Sequence, residues 1–404
     1  MEDIEVKIDN QKVGSLFFEK DKNQYGFNYT SNYKPISLIM PYKNSTYIWK
    51  HKLHPIFDMN IPEGYLFEIF KKYLTKEYGY IDDFLIFSYI CSNIQSRITY
   101  KSSIDKKDFF AFDLDDVLQN DTHDNFTKIV SAFLDKNAIS GVQPKTLAIL
   151  KDKETLSLKE YIIKTWGEEY PQLALNEYFC LKSIERSGVK IPNIKLSKNN
   201  KFLLVEKFNY DKKSDSFFGF EELITLLGKN KDEKYSGSYE LIAKVIYSVT
   251  TNKLESIRAF YTLMVMNYLL KNGDAHLKNF GILYNDDFSK IYFSPAYDVV
   301  NTQVYFYNDK PALTMLGKKL WLGRKELIEF GQNNCYLSKD EANKIYDKSI
   351  KSLKISINEL KDYIKTNRDF EDIGAKMIDT WELSLEEKTH KELPLETIRN
   401  WKTN

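Results

Sequence analysis

The sequence predicts an α+β protein made of two or three packed units. Its 404 residues exceed what a single hydrophobic core usually organises. Hydrophobic residues make up 43% of the chain and aromatic residues 15%, so there is enough apolar surface to form cores. Alternating apolar residues indicate strands in the first half, whereas 3.6-residue spacing indicates helices in the second half.

Residues 1–115 are predicted to form a small α+β module, because strand patterns precede a helical pattern and the chain becomes rich in Lys and Asp between 102 and 125. Residues 116–210 combine strands with one helix, and residues 211–404 are predicted to be largely helical. The predicted elements are strands at 4–8, 13–18, 25–29, between Pro35 and Pro41, at 146–150, 161–164 and 202–208, and helices from Leu66, at 173–187 with Gly188 after it, and at 254–271.

The composition argues against several classes of protein. The chain has 58 basic and 57 acidic side chains, so no overall charge attracts it to nucleic acid or to a membrane. Cys91, Cys180 and Cys335 are far apart and odd in number, which disfavours a disulfide framework and a zinc site. No apolar run approaches the roughly 18 residues that a membrane span needs. We therefore expect a cytoplasmic protein.

The most informative segment reads N-G-D-A-H-L-K-N over residues 272–279. Asp274 and Asn279 have the D-x-x-x-x-N spacing of kinase catalytic loops, in which the Asp orients the attacking hydroxyl and the Asn oxygen binds Mg²⁺. A later strand leads into P-A-Y-D, which places Asp298 among apolar residues. One carboxylate and one amide are oxygen ligands that suit Mg²⁺, so Asn279 and Asp298 are the predicted metal ligands.

Each of these residues also has a plain structural interpretation. Asp274 can cap a turn, Asn279 can close a bend, and Asp298 can pair with Lys278. All three coincidences would have to hold together, so we favour the catalytic interpretation. Lys278 is a candidate for contacting a phosphate or a substrate hydroxyl, with an exposed lysine as the alternative, and His276 is expected to orient the loop.

Three upstream segments are candidates for nucleotide binding. The turn at 138–146 contains a glycine that lets backbone N–H groups approach phosphate oxygens, although a plain turn is the simpler explanation. Lys164 ends a strand after two apolar residues, as the phosphate-binding lysine of kinases does, and Glu177 can pair with it. The strand that leads to Glu206 and Phe208 either connects two lobes and binds adenine or is an ordinary strand.

Together these segments resemble the HipA family of bacterial toxin kinases. The resemblance is carried by S-G-V-Q-P-K at 140–145, N-E at 176–177, V-E-K-F at 205–208, and the motifs at 272–279 and 295–298. The first hundred residues resemble the small N-terminal subdomain of that family.

The resemblance implies a two-lobed protein-kinase-like fold of HipA type, with an N-terminal α+β subdomain and a largely helical C-lobe. It implies a serine/threonine protein kinase that uses ATP and Mg²⁺, with Asp274, Lys278 and Asn279 in catalysis. It also implies a HipB-like helix-turn-helix antitoxin as partner, contact with DNA only through that antitoxin, and an aminoacyl-tRNA synthetase as substrate. The residues expected to bind ATP are Ser140, Gly141, Val142, Gln143, Lys145, Lys164, Glu206, Phe208 and His276.

One position departs from the family pattern. Family members carry a serine that becomes autophosphorylated where this chain has Ala138. Ser140 is the remaining hydroxyl of the loop and is the candidate autophosphorylation site. Self-inhibition then runs through Ser140 or is weakened, unless the alanine was introduced by substitution.

Two other functions fit part of the pattern. A kinase for small molecules or lipid head groups would use the same residues, because they serve any hydroxyl acceptor. A non-catalytic module would bind ATP only to hold a DNA-binding partner. Intact Asp274 and Asn279 argue against the second alternative, because a pure binding module need not retain the catalytic base.

Overall fold

The computed structural model describes residues 3–61, 67, 70–71, 74–76, 78–94, 96–104, 111–122, 125, 145–151, 158–165, 170–211 and 213–386. The chain divides into two compact units, each discontinuous in sequence. The first unit comprises Met1–Gly167, Asn193–Lys234 and Leu283–Lys290, and the second comprises Glu168–Pro192, Tyr235–Ile282 and Ile291–Asn404. The predicted boundaries at 115 and 210 remain predictions.

The described elements mix strands and helices, which confirms the α+β class. The strands are β1 (Ile4–Ile8), β2 (Gln11–Glu19), β3 (Gln24–Tyr29), β4 (Tyr47–Lys50), β5 (Ile98–Lys101), β6 (Ala111–Asp113), β7 (Lys145–Lys151), β8 (Leu158–Thr165), β9 (Ile194–Leu196), β10 (Phe202–Glu206), β11 (Tyr210–Asp211), β12 (Ser216–Phe217), β13 (Gly219–Glu222), β14 (Gly281–Tyr284) and β15 (Ile291–Phe293). The α-helices are α1 (Pro55–Asp58), α2 (Asp83–Ile90), α3 (Leu114–Gln119), α4 (Leu173–Ser187), α5 (Leu223–Leu226), α6 (Tyr239–Val249), α7 (Lys253–Leu270), α8 (Arg324–Asn334), α9 (Lys339–Thr366) and α10 (Glu371–Leu385). Short 3₁₀ helices lie at Lys20–Lys22, Cys91–Asn93, Lys231–Glu233, Thr302–Val304 and Arg368–Phe370.

The first unit contains two five-stranded sheets. One has the order β4-β3-β2-β1-β5, and the other has the order β6-β7-β8-β10-β9 with β6 and β7 parallel. Ile4, Val6 and Ile8 of β1 are fully buried, while the residues between them are partly exposed. The period-two pattern therefore predicted this strand correctly, because every second side chain of a strand faces the core.

The strand predicted between Pro35 and Pro41 is wrong. Ser37 and Met40 form only an isolated bridge across a tight turn. The N–H of Leu38 donates to the carboxylate of Glu221 at 2.8 Å, and the Ser37 hydroxyl donates to the same carboxylate at 2.8 Å. This segment thus satisfies its donors with a buried side chain instead of a neighbouring strand. The helix predicted from Leu66 falls largely outside the described residues.

Helix α7 lies at the centre of the second unit, where it contacts α4, α6, α9 and α10. Ile257, Phe260, Tyr261 and Met264 are buried, and so is most of the rest of its surface, as its sequence predicted. No helix among the described residues is long and apolar enough to cross a membrane.

Candidate active site

The segment at 272–279 begins where α7 ends. Lys271 ends the helix in the left-handed conformation, with φ of 60°. The side chain of Asn272 then forms two hydrogen bonds: its Nδ2 donates to Oδ1 of Asn267 at 3.0 Å, and its Oδ1 accepts from the N–H of Asp274 at 3.2 Å. Asn272 is 2% exposed, so this buried amide fixes the direction in which the chain leaves the helix and the position of the Asp274 backbone.

A second anchor holds Gly273. Its N–H donates to Oγ1 of Thr302 at 2.8 Å, and the Thr302 hydroxyl donates in turn to the carboxylate of Asp309. A Cβ at position 273 would lie 2.6 Å from Thr302 Oγ1 and would also overlap the Asp309 carboxylate. Glycine therefore permits this close approach, and a larger residue would require the Thr302 and Asp309 side chains to shift.

Asn279 joins the predicted catalytic loop to the segment that carries Asp298. Its Nδ2 donates to the backbone carbonyl of Asp274 at 2.9 Å and to that of Asp298 at 3.3 Å. Both acceptors are carbonyl oxygens, so the amide nitrogen must face them, and the amide oxygen points elsewhere. The structure thus brings the backbones of Asp274 and Asp298 together at Asn279, and the amide oxygen, not the nitrogen, is the Asn279 atom that would bind a cation.

Asp298 has an unusual backbone conformation, with φ of 56°. Such values are uncommon for residues other than glycine and persist where the surroundings enforce them. Besides Asn279, Tyr297 helps to hold the segment, because its hydroxyl donates to the carbonyl of Lys278 at 2.9 Å.

Asn176, the first residue of the N-E pair in α4, holds the chain three residues after Asp298, at Asn301. Its Oδ1 accepts from the N–H of Asn301 at 2.8 Å, and its Nδ2 donates to the carbonyl of Asn301 at 3.0 Å. Both residues are 0% exposed. The Asn176 side chain therefore pairs with both backbone groups of Asn301, as a neighbouring strand would. Leaving these buried groups without hydrogen bonds would destabilise the fold.

Lys278 and His276 are each 6% exposed, so Lys278 is a buried lysine. Nδ1 of His276 accepts from the N–H of Lys278 at 3.3 Å, which assigns the ring proton of a neutral imidazole to Nε2. Nε2 lies 3.9 Å from Oδ1 of Asp274. The hydroxyl of Tyr235 donates to that same Oδ1 at 2.9 Å.

Residues predicted to bind the nucleotide belong partly to the first unit. Lys164 is 4% exposed in β8, opposite Lys145 of β7 in the backbone register. Oε2 of Glu206 accepts from Asn193 Nδ2 at 2.9 Å. The ring of Phe208 packs edge-on against Phe220, with 5.3 Å between centroids.

Other parts of that prediction are untested. Ala138, Ser140, Gly141, Val142 and Gln143 lie outside the described residues. Lys164 and Glu177 belong to different units, and their pairing stays a prediction.

The donor set around Asn279 and Asp298 suits Mg²⁺. This ion takes oxygen ligands, and in phosphoryl-transfer sites it is held by one or two protein groups together with phosphates and waters. Within the described ranges, no cluster of three or more His, Cys, Asp or Glu side chains is arranged to hold a metal ion by itself. One amide and one carboxylate are too few to enclose an ion completely. They would suit a Mg²⁺ ion that is also coordinated by the phosphates of a nucleotide.

Two family models match the sequence. The HipA-like C-terminal domain matches residues 137–356, and the HipA N-terminal domain matches residues 4–101. The chain belongs to the HipA family. This confirms the resemblance that the sequence motifs indicated.

Curated relatives of this HipA-family chain are described as putative kinases. One from Haemophilus influenzae is 32% identical over 201 residues, which cover 45% of this chain and 58% of that protein. Putative kinase Y4dM of Sinorhizobium fredii is 25% identical over 198 residues, covering 43% of this chain and 47% of that protein. The chain thus spans about half the length of the curated relatives it matches.

Among solved structures, the toxin-antitoxin complex of HipA, HipB and operator DNA from Shewanella oneidensis MR-1 contains a similar chain. The TM-score is 0.73 with 16% identity, covering 95% of this chain and 97% of that chain. The HipA-type fold that the motifs implied is confirmed.

Proposed function

We propose that this protein is a serine/threonine protein kinase toxin of a toxin-antitoxin system, which transfers the γ-phosphoryl group of ATP to a protein hydroxyl. The observation that carries the proposal is the double hydrogen bond of the Asn279 amide to the carbonyls of Asp274 and Asp298. It supports a single site that contains both a base and two oxygen ligands for a metal ion. Family membership supports the same reaction.

Each residue has a distinct task in this reaction. Asp274 accepts a hydrogen bond from the substrate hydroxyl, orients it towards the γ-phosphorus and takes its proton. Mg²⁺, when bound by Asn279 and Asp298, offsets the negative charge of the phosphate oxygens. Lys278 contributes a positive charge that contacts a phosphate or the substrate hydroxyl. Burying a lysine is costly unless its charge is compensated, and an anionic phosphate adds to that compensation.

Nucleotide binding is assigned to residues of both predicted lobes. Lys145 and Lys164 contact phosphates, together with backbone groups of Ser140, Gly141, Val142 and Gln143. Glu206 and Phe208 hold the adenine, and His276 orients the catalytic loop from its buried position. The register that sets Lys145 opposite Lys164 supports this assignment, because opposite residues of an antiparallel pair are close neighbours.

The family resemblance implies a partner and a substrate, which we propose for this chain. We assign a HipB-like antitoxin as partner, with DNA contacted only through it, and an aminoacyl-tRNA synthetase as substrate. The similar Shewanella chain comes from a complex with HipB and operator DNA, which supports the partner. Ser140 is the proposed autophosphorylation site. A phosphate there adds about 1.5 to 2 negative charges and should weaken ATP binding, and equal ATP affinities of modified and unmodified protein would contradict this.

Labelled ATP tests the function. Purified protein is incubated with γ-labelled Mg-ATP and bacterial lysate, alongside Asp274→Asn and the control Asp362→Asn, whose side chain is 75% exposed. We expect label in a protein band with the wild type and the control, and none with Asp274→Asn. Label in a metabolite would favour a small-molecule kinase. No transfer at all would favour the non-catalytic module.

A further inference from the structure

Tyr235 lies directly against the proposed catalytic base. Its hydroxyl donates to Oδ1 of Asp274 at 2.9 Å. Its ring packs edge-on against the imidazole of His276, with 5.1 Å between ring centroids. Nε2 of His276 lies 3.9 Å from the same carboxylate oxygen. Two side chains from different parts of the sequence therefore converge on one oxygen of Asp274.

The segment that carries Tyr235 is itself anchored to the catalytic loop. Tyr239, four residues later, is 1% exposed, and its hydroxyl donates to the carbonyl of Ala275 at 3.1 Å. Its N–H donates to the carbonyl of Thr314 at 3.0 Å. Ser238 caps the start of α6 by accepting from the N–H of Leu241. Although Tyr235 is 47% exposed, its backbone is thus fixed close to the residue that its hydroxyl contacts.

This contact matters because a base in phosphoryl transfer has to be aimed. The carboxylate of Asp274 can rotate about its last side-chain bond, and its side chain is 39% exposed, so packing alone does not fix that rotation. A phenol that donates to one oxygen restricts this rotation. Small displacements of a catalytic group cost large factors in rate, because reacting atoms must be held within a few tenths of an ångström.

We propose that Tyr235 is a positioning residue for Asp274, whose hydroxyl holds the carboxylate in the orientation that receives the substrate proton while its ring fixes His276 behind it. This inference rests on the proposed function. It gives Tyr235 a task that neither the catalytic-loop motif nor the metal ligands supply.

Substituting the hydroxyl and the ring separately tests this assignment. Tyr235→Phe removes only the hydroxyl and keeps the ring on His276, whereas Tyr235→Leu removes both. Tyr336→Phe is the matched control, because Tyr336 is also exposed, at 53%, and stacks on Tyr247 at 4.0 Å between centroids. The rate of label transfer into lysate protein is measured against ATP concentration, giving a maximal rate and a KM for ATP. Nucleotide affinity and melting temperature are measured in parallel.

For Tyr235→Phe we expect the maximal rate to fall by about 10- to 100-fold, the equivalent of one charge-assisted hydrogen bond. The KM for ATP, the nucleotide affinity and the melting temperature should stay at wild-type values, a split that a merely structural tyrosine would not produce. The control Tyr336→Phe should behave like the wild type in every measurement.

Several results would overturn the inference. A Tyr235→Phe rate equal to that of the wild type, with loss only in Tyr235→Leu, would show that the hydroxyl does not position Asp274 and that only the ring contributes. A faster Tyr235→Phe would mean that the phenol obstructs the acceptor position. Both results leave the proposed function intact, provided that Asp274→Asn is inactive. If the wild type itself transfers no more label than Asp274→Asn, the proposed function fails and this inference fails with it.

Discussion

Replacing Ser37 with Ala tests how the turn at residues 35–41 is fixed within the first unit. The Ser37 hydroxyl and the N–H of Leu38 both donate to the carboxylate of Glu221, and so does the hydroxyl of Tyr284 at 2.7 Å. Glu221 is 0% exposed. Removing one donor from a buried acceptor costs about 1 to 3 kcal/mol, with the larger values for a charged group. We therefore expect Ser37→Ala to destabilise the first unit by this amount.

The cost should depend on pH in a defined direction. Burial raises the pKa of Glu221, and the hydrogen bonds from Leu38, Tyr284 and Ser37 partly offset that rise. Since the folded pKa lies above the unfolded value, the contribution of Glu221 to stability is fully present below about pH 4.3 and is lost as pH rises through the folded pKa. Ser37→Ala raises the folded pKa further. The loss of stability should therefore be smaller at pH 4 than at pH 8, where the carboxylate lacks a donor.

Native-state hydrogen exchange followed by mass spectrometry measures this loss in each unit separately. A loss of 1 to 3 kcal/mol corresponds to exchange about 5- to 150-fold faster in protected peptides of the first unit. Peptides of α7 provide the internal reference, and Ser45→Ala, at an exposed position, is the matched control. Unchanged exchange around residues 35–41 and 219–222, or an equal loss in both units, would show that the Glu221 hydrogen bonds do not fix this turn.

Three further substitutions follow from the structure. Burial lowers the pKa of His54 to about 3, so below pH 6.5 the unfolded chain binds a proton that the folded chain does not. Stability should therefore fall by about 2 kcal/mol between pH 7 and pH 5. His54 caps α1 by accepting from the N–H of Ile56, and His54→Asn keeps a capping residue, so it should remove this pH dependence from the urea unfolding midpoint. An equal pH dependence in His54→Asn would contradict this assignment. Gly273→Ala should reduce label transfer at least about 10-fold because its Cβ overlaps the Asp309 carboxylate, and a normal rate would show that the loop can shift without cost. Asn176→Ala should destabilise the second unit by about 1 to 3 kcal/mol, because it removes the side chain that pairs with both backbone groups of Asn301. Hydrogen exchange of α4 and α10 would detect this loss, and unchanged exchange would count against the pairing.

Features that depend on neighbouring residues could be predicted from the sequence. Helix α4 spans Leu173–Ser187 as predicted, and Gly188 follows in the left-handed conformation with φ of 97°. The spacing of Asp274 and Asn279 is also local, and so it identified the candidate loop. Asp298 is predicted to be a metal ligand because a carboxylate that closely follows an apolar strand is conspicuous in the sequence, and that role stays a prediction.

Features that depend on distant residues could not be predicted in this way. The sequence between Pro35 and Pro41 predicts a strand, but the segment forms a turn because its hydrogen-bond acceptor, Glu221, lies 183 residues from Leu38. The sequence does not point to Tyr235, which is 39 residues from Asp274 and belongs to no spacing pattern. Thr302 and Asp309 cannot be predicted for the same reason. A single sequence shows which residues can do chemistry, whereas the groups that orient them become visible only in three dimensions.

The rate of γ-phosphoryl transfer by Asp298→Asn tests the proposed metal site most directly. The amide nitrogen of Asn279 donates to the backbone carbonyl of Asp298, and the Asp298 carboxylate is proposed to bind Mg²⁺ together with the amide oxygen of Asn279. We expect a rate at least about 100-fold below that of the wild type, with an unchanged melting temperature and with Asp362→Asn fully active. Transfer by Asp298→Asn at the wild-type rate would contradict the assignment of this site.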